Sequence, residues 1–224
     1  SASSGDNTIA WYENDGAANP SWTAADISTT ADGARNVFVA DIDSDGDLDI
    51  VSASHDDDTI AWYENDGNSD PSFTKNVIST SADGARGVHI ADIDSDGDLD
   101  IVSASRIDNK IAWYENDGAA NPSWSTTTIA TSAAGARDIH IADMDNDGDL
   151  DIVSAALSAG TAGAATIHWL ENDGGADPTF TQTTISTNAR YAYDVEIADY
   201  DSDGDLDIVS ASGYDDRVAV YTNN

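Results

Sequence analysis

The residues best suited to chemistry in this sequence are nine-residue acidic runs. The first is Asp41-Ile42-Asp43-Ser44-Asp45-Gly46-Asp47-Leu48-Asp49, five carboxylates at alternate positions with glycine at the sixth. Unneutralised, five carboxylates this close repel one another, and folding of the apolar segments on either side forces them together. Hard oxygen donors at alternate positions, with glycine where the backbone turns sharply, suit Ca²⁺, which takes about 6–8 oxygens in a flexible shell. Mg²⁺ holds its waters and demands near-octahedral geometry, and Zn²⁺ selects His or Cys, so both fit this donor set less well. In loops of this kind the side chains at positions 1, 3, 5 and 9 coordinate and position 7 offers its carbonyl. That assigns Asp41, Asp43, Asp45 and Asp49 as carboxylate ligands and Asp47 as carbonyl donor. An EF-hand is excluded, because it needs Glu at position 12 and flanking helices; position 12 here is Ser52 and the flanks are patterned as strands.

The acidic run occurs four times, starting at Asp41, Asp92, Asp143 and Asp199. A second landmark, I-A-W-Y-E-N or I-H-W-L-E-N, places Trp11, Trp62, Trp113 and Trp169 each 30 residues before its run, at spacings of 51, 51 and 56. The five extra residues of the last unit therefore fall in Leu157 to Ala165, read as an insertion in a surface loop. Cutting at S-A-S or S-A-A gives units 1–51, 52–102, 103–153 and 154–209, within a single repeat domain spanning 1–224. The remainder, 210–224, restarts the pattern: Tyr221 and Asn223 repeat Tyr12 and Asn14, with Val220 in the tryptophan column. Near-identity of units, such as N-D-G-A-A-N-P-S-W at both 14–22 and 116–124, points to recent duplication or an engineered repeat.

The elements that must position these runs are strands, because apolar residues recur with period two. Four segments make a unit: N-V-F-V-A-D before the acidic run, L-D-I-V-S-A-S after it, then T-I-A-W-Y-E-N and S-W-T-A-A-D-I-S. Asn14-Asp15-Gly16, Asn19-Pro20 and Asp32-Gly33 supply turn chemistry at the joints. Four short strands in about 50 residues, repeated at near-identity, define an all-β fold, a β-propeller of four-stranded antiparallel blades in which each blade covers its neighbour's apolar face. The chain is expected to begin at the tail of a second strand, make three full passes, and end on a first, second and third strand. The third strand then occurs five times and the first only four. Two arrangements satisfy that count: a closed four-blade ring whose last blade combines both termini and leaves one C-terminal strand surplus, or an open arc whose ends pair with another chain.

At this point the units resemble FG-GAP/VCBS repeats, the calcium-carrying blades of integrin α-subunit propellers and of many secreted bacterial proteins. The resemblance covers essentially the whole chain and rests on D-I-D-S-D-G-D-L-D between A-D-I and L-D-I-V-S. It implies that the first strand is innermost, that calcium sits in the hairpin between first and second strands, and that about four Ca²⁺ bind, one per loop. It carries over as ligands Asp92, Asp94, Asp96, Asp98 and Asp100; Asp143, Asp145, Asp147, Asp149 and Asp151; and Asp199, Asp201, Asp203, Asp205 and Asp207. Propellers of this family commonly have about seven blades, so this chain departs from them in copy number.

The 224 residues hold 43 Asp+Glu against 8 Lys+Arg, a formal charge of −35. That excludes nucleic acid and anionic membrane surfaces as partners, since both need a basic footprint. Four dications carry eight positive charges and would bring −35 to about −27. With no Cys, disulfides and thiolate chemistry are excluded. No stretch approaches the ~20 apolar residues of a membrane helix, so no membrane insertion is expected; the first residues are polar rather than signal-like, and an exported form is expected to carry its targeting segment elsewhere.

Of the eight cations, Arg35, Arg86 and Arg137 stand six residues before their acidic runs, with Tyr193 in the fourth copy of that column and Arg190 three residues earlier. They are expected to pair with nearby carboxylates such as Asp32 and Asp83, the alternative being a ring around the axis that binds an anion. His89 and His140 share a column with Phe38 and Glu196, which argues against a catalytic or metal role. The tryptophans of the third strand are read as interblade packing rather than a sugar-stacking surface, and Trp22, Phe73, Trp124 and Phe180 as anchors of the following loop. No Ser-His-Asp order or Gly-rich phosphate loop stands out. The expected function is a non-enzymatic, calcium-binding, extracellular or cell-surface module for binding, adhesion or surface assembly, with a protein or glycan ligand. The alternatives are a subunit that self-assembles by exchanging its incomplete terminal strands, or a carbohydrate-binding lectin.

Overall fold

Period-two patterning becomes strands throughout. A computed structural model of the protein describes residues 1–157 and 165–224, and among them there are eighteen strands and no helix. A first sheet holds β1 (Ala2–Ser3), β2 (Thr8–Asn14) and β3 (Trp22–Ser28). Three four-stranded sheets follow: β4 (Ala34–Ala40), β5 (Asp49–Ser54), β6 (Thr59–Asn65) and β7 (Phe73–Ser79); β8 (Ala85–Ala91), β9 (Asp100–Ser105), β10 (Lys110–Asn116) and β11 (Trp124–Ala130); β12 (Ala136–Ala142), β13 (Asp151–Leu157), β14 (Ala165–Asn172) and β15 (Phe180–Ser186). The last sheet holds β16 (Ala192–Ala198), β17 (Asp207–Ser212) and β18 (Arg217–Tyr221). Every pairing is antiparallel between sequence neighbours. This is the strand count the repeat dictates. Among the described residues no strand of the first sheet hydrogen-bonds to the last, so the chain forms an arc of five sheets not closed by hydrogen bonds. The insertion placed in 157–165 falls almost wholly outside the described residues.

Alternation along one strand decides how the sheets stack. On β6, Ile60 and Trp62 join a core cluster with the following sheet, whose Val88, Ile90 and Tyr114 meet them, while Ala61 and Tyr63 join a cluster with Ile9 and Ala34 on the other side. Both faces of the sheet are therefore covered, which is why β5 and β9 read as continuous buried runs rather than half-wet strands. The same columns give the next two clusters, around Trp113 and around Val153 with Trp169. The inner strands β4, β8, β12 and β16 lie side by side in that order. The Val88 N–H donates to Asn36 Oδ1 (3.2 Å) and the Val195 N–H to Asp138 Oδ2 (3.0 Å), fixing neighbouring inner strands in register.

A third recurring link holds each of the first three sheets to the next. Asn7, Asp58 and Asn109 sit in the left-handed region at φ 60, 57 and 61°, conformations that Asn and Asp tolerate better than most residues. From there their side-chain oxygens accept the N–H of Gly33, Gly84 and Gly135 (3.1, 2.8 and 2.8 Å) at the entry to the following inner strand.

Candidate metal centre

Each acidic run forms the hairpin between an inner strand and its neighbour, β4–β5, β8–β9, β12–β13 and β16–β17. The backbone winds around the first aspartate: the N–H groups of Asp45 and Gly46 donate to the Asp41 carboxylate (3.1 and 3.0 Å), and that of Asp47 to Asp45 (2.9 Å). The turn needs φ of +59° at Ser44 and +98° at Gly46, and the second value is one that glycine alone adopts readily. The second and third loops repeat the three bonds, and in the fourth Gly204 N–H still reaches Asp199 (3.2 Å).

This winding brings ligand atoms of Asp41, Asp43 and Asp45 within 4.8 Å of one another, and likewise Asp92, Asp94 and Asp96; Asp143, Asp145 and Asp147; and Asp199, Asp201 and Asp203. Burial, and then the adjacent Asp45 charge, push the Asp43 carboxyl above its usual range, and the same causes raise Asp94, Asp145 and Asp201. Asp43 Oδ1 is buried with no hydrogen-bond partner. A cluster of oxygens, anionic and closely packed, with one buried oxygen lacking a donor, fits a hard divalent cation. Asp41, Asp43 and Asp45 and their counterparts would hold it, and it would supply the positive charge that lets the three carboxylates stay ionised side by side.

The remaining two aspartates of each run take other positions. Asp49, Asp100, Asp151 and Asp207 are buried, and each accepts two backbone N–H groups. Asp100 takes those of Ile93 (3.1 Å) and Asn116 (2.8 Å), and Asp49 takes those of Ile42 (3.1 Å) and Asn65 (2.8 Å). Asp151 and Asp207 repeat the pattern with Met144 and Asn172 and with Tyr200 and Asn223. The ninth position thus clasps the loop to the third strand of its own sheet, and each oxygen keeps a lone pair beyond the N–H it accepts. Burial pushes Asp100 up to about 7 against the pull of these N–H groups, and raises Asp49 and Asp151 as well. The indole N–H of Trp113 lies near enough to favour the Asp100 carboxylate without reaching hydrogen-bond geometry. The seventh-position side chains point away from the triads: those of Asp47, Asp98 and Asp149 stand against Gly67, Gly118 and Gly174 of the next loop in the blade, and Asp205 accepts the Asn146 amide (3.1 Å), joining the third and fourth hairpins.

One functional column escaped the sequence reading. The asparagine that ends I-A-W-Y-E-N uses its side chain to bridge hairpins of adjacent sheets. Asn116 Nδ2 donates to the Leu99 carbonyl of its own loop (3.1 Å) and to the Ile42 carbonyl of the preceding one (3.3 Å). Asn172 does the same with Leu150 and Ile93, and Asn223 reaches Met144 (2.9 Å). The signal was present, since the residue is the same in all the tryptophan-bearing copies, but a polar residue at a strand end reads as turn chemistry until the neighbouring blade is in view.

The tryptophan column behaves as interblade packing. Trp62 and Trp113 are buried, Trp169 is partly buried in its cluster, and Phe73, Trp124 and Phe180 pack against the clusters from the loop side. Trp22 is 60% exposed on the first sheet. Phe38, His89 and His140 form a row across the inner strands, with ring centroids 4.3 and 5.2 Å apart and planes tilted by 47° and 50°.

The expected pairing of arginines with Asp32 and Asp83 does not occur. The described residues hold three ion pairs within 4 Å, His55–Asp56, Lys110–Asp108 and His140–Glu196, and none involves arginine. Three acids at that end are engaged elsewhere, Asp56 by His55 (2.7 Å), Asp108 by Lys110 (2.9 Å) and Asp58 by the Gly84 N–H, while Asp57 Oδ1 and Asp215 Oδ1 are buried without a hydrogen-bond partner. Arg137 and Arg190 instead lie over the rings of Tyr193 and Tyr214, at 4.1 and 4.5 Å.

An arc of five stacked sheets of three or four strands, four of them carrying an acidic oxygen cluster on the inner hairpin, defines a propeller built from acidic-loop repeats. The chain belongs to the FG-GAP-like repeat family, whose pattern matches residues 1–52, 41–103, 92–154 and 156–210. Among solved structures it is similar to a lectin from Agrocybe aegerita, described as recognising non-reducing terminal N-acetylglucosamine. The TM-score is 0.54 and the identity 21%, over 87% of this chain and 52% of that one. This chain thus spans about half the length of the lectin, and at that identity the likeness is one of fold. No curated protein matches the chain.

Proposed function

We propose that this protein is a non-enzymatic, extracellular binding module whose blades are fastened by Ca²⁺, one ion in each acidic hairpin. The observation that carries the reading is the fourfold recurrence of the same three-carboxylate cluster at the same hairpin. Calcium is favoured over other divalent ions by the all-oxygen donor set, which suits its adaptable high-coordination shell, and sites built from clustered carboxylates work where calcium is plentiful, outside the cell. The ions are structural: they neutralise charge where inner and second strands turn, and the Asn bridges tie one hairpin to the next. Ligand binding that occurs only in the folded state stabilises by RT ln(1+[L]/Kd), about 2.7 kcal/mol per site at a hundredfold excess over Kd. Native mass spectrometry should therefore count four calcium ions per chain, and excess EGTA should lower the melting temperature by tens of degrees. An unchanged melt, with no mass gained on adding calcium, refutes the proposal.

A glycan is the ligand class favoured by the likeness to a sugar-binding propeller, together with the exposed aromatic rings of Tyr12 and Trp22 on the first sheet. Glycan-array binding in calcium, reduced by Trp22→Ala, is the expected outcome; silence of the array removes this second reading and leaves the calcium reading standing.

A further inference from the structure

The end of the arc opposite the acidic hairpins holds most of the scarce positive charge. Arg35, Arg86 and Arg137 are the second residues of the adjacent inner strands β4, β8 and β12. Arg106 follows β9, and because Ala85 pairs with Ser105 it lies beside Arg86. Arg190 enters the same end of β16, where the Arg190 carbonyl accepts the Tyr214 N–H. All six arginines of a chain with 43 acids thus stand at one end, Arg217 at the start of β18 included, and none has a carboxylate within 4 Å among the described residues. The Nε atoms of Arg86, Arg137 and Arg190 are buried and lack any acceptor.

Asp56, Asp57, Asp58, Asp108 and Asp215 stand in the loops at the same end, but none comes within 4 Å of an arginine, so no ion pair offsets the mutual repulsion of the guanidinium groups. Burial, and then the charges of Arg137, Arg35 and Arg106, lower Arg86 to about 10, which leaves it cationic at neutral pH. The rings of Tyr193 and Tyr214 position Arg137 and Arg190 by their faces, and Tyr191 stacks on Tyr214 at 5.3 Å, so the guanidinium groups are held partly by aromatic surface, leaving their N–H groups for another acceptor.

We propose that this arginine cluster is a binding site for an oxyanion carried by a small ligand, the carboxylate of an acidic sugar. Planar guanidinium forks match carboxylate and sulfate geometry. The charge of the whole molecule sets the ligand's size: at −35, or about −27 with four calcium ions, the protein repels a polyanion at long range, whereas a ligand of one or two charges meets the local cations before that repulsion matters. The proposal rests on the binding-module reading and adds to it a second site, at the opposite end from Tyr12 and Trp22, with its own ligand chemistry; it does not depend on the metal sites.

The test is calorimetric titration of the whole chain, at fixed free calcium and fixed ionic strength, with glucuronate, glucose and sodium sulfate. Glucuronate should bind while glucose does not, and Arg86→Gln and Arg137→Gln should each weaken it at least tenfold, with Lys75→Gln, on the outer strand β7, as an unaffected control. Arg137→Lys, which keeps the charge and loses the fork, should fall between. Sulfate binding as tightly as glucuronate assigns the site to free oxyanions, and weaker sulfate binding assigns it to the sugar-borne carboxylate. Circular dichroism of each variant separates loss of the site from loss of the fold. Glucuronate binding no better than glucose, or folded Arg86→Gln and Arg137→Gln binding it as the parent does, overturns the proposal. Because the EGTA melt reads the metal hairpins alone, failure here and failure of the calcium reading are separable.

Discussion

Replacing Asn116 by Ala tests whether the acidic hairpins are coupled from sheet to sheet. Asn116 is 2% exposed and makes three side-chain hydrogen bonds: to Leu99 O (3.1 Å), to Ile42 O across the sheet boundary (3.3 Å), and from Gly118 N–H to its Oδ1 (3.1 Å). At about 1 kcal/mol each, with buried carbonyls left unpartnered, the substitution should cost about 2–4 kcal/mol. For a chain of this length that is roughly 5–15 °C in Tm. The fold supplies its own control. Asn14 occupies the same column in the first sheet, where no acidic hairpin precedes it; it is exposed, and its side chain accepts one N–H, from Gly16 (2.9 Å). Asn14→Ala should cost no more than about 1 kcal/mol. Both variants would be melted in saturating calcium and followed by near-ultraviolet circular dichroism. Equal losses at the two sites, or a loss below about 0.5 kcal/mol at Asn116, would refute the bridging role.

Three further outcomes follow from the same geometry. Gly118→Ala should destabilise more than Gly16→Ala and weaken calcium binding at the second hairpin, seen as one weakened site in calcium titration; both glycines have φ near +70°, but a β-carbon at Gly118 meets the Asp98 carboxylate while one at Gly16 meets nothing. Trp113→Ala should cost about 3–5 kcal/mol in urea denaturation, and Trp11→Ala less, because Trp113 is buried between two sheets and Trp11 is only half-buried. His89 is held down at about 4 by burial and by His140, so the folded ring stays neutral while the unfolded ring takes up a proton below about 6.5. Its contribution is complete above pH 6.5 and is lost as the pH falls toward 4, by at most about 3 kcal/mol. His89→Phe, which copies Phe38 in the preceding strand, should flatten that part of the stability–pH profile between pH 6.5 and 4; a profile superimposable on the parent's contradicts the assignment.

The sequence by itself determined the strands, their number and the acidic hairpins. Period-two patterning and Gly, Asn and Asp at the joints are local properties, and repetition at 51 residues made each local signal visible four times. It also determined that Trp62 and Trp113 face a neighbouring blade, since a sheet apolar on both faces has to be covered on both. What each polar group faces across a sheet boundary was decided only by the stacking. Asp100 and its equivalents accept backbone N–H groups of the loop and third strand, and the first three of the four earlier aspartates of each run form the converging cluster. Asn116 found its partner 74 residues away, in the hairpin before its own. The arginines missed the carboxylates that are near them in sequence; Arg137 and Arg190 lie over the rings of Tyr193 and Tyr214 instead. Proximity along the chain fixes hydrogen bonds within a hairpin; between blades, the partner of a side chain depends on the angle and offset of the stack, which no run of neighbouring residues encodes.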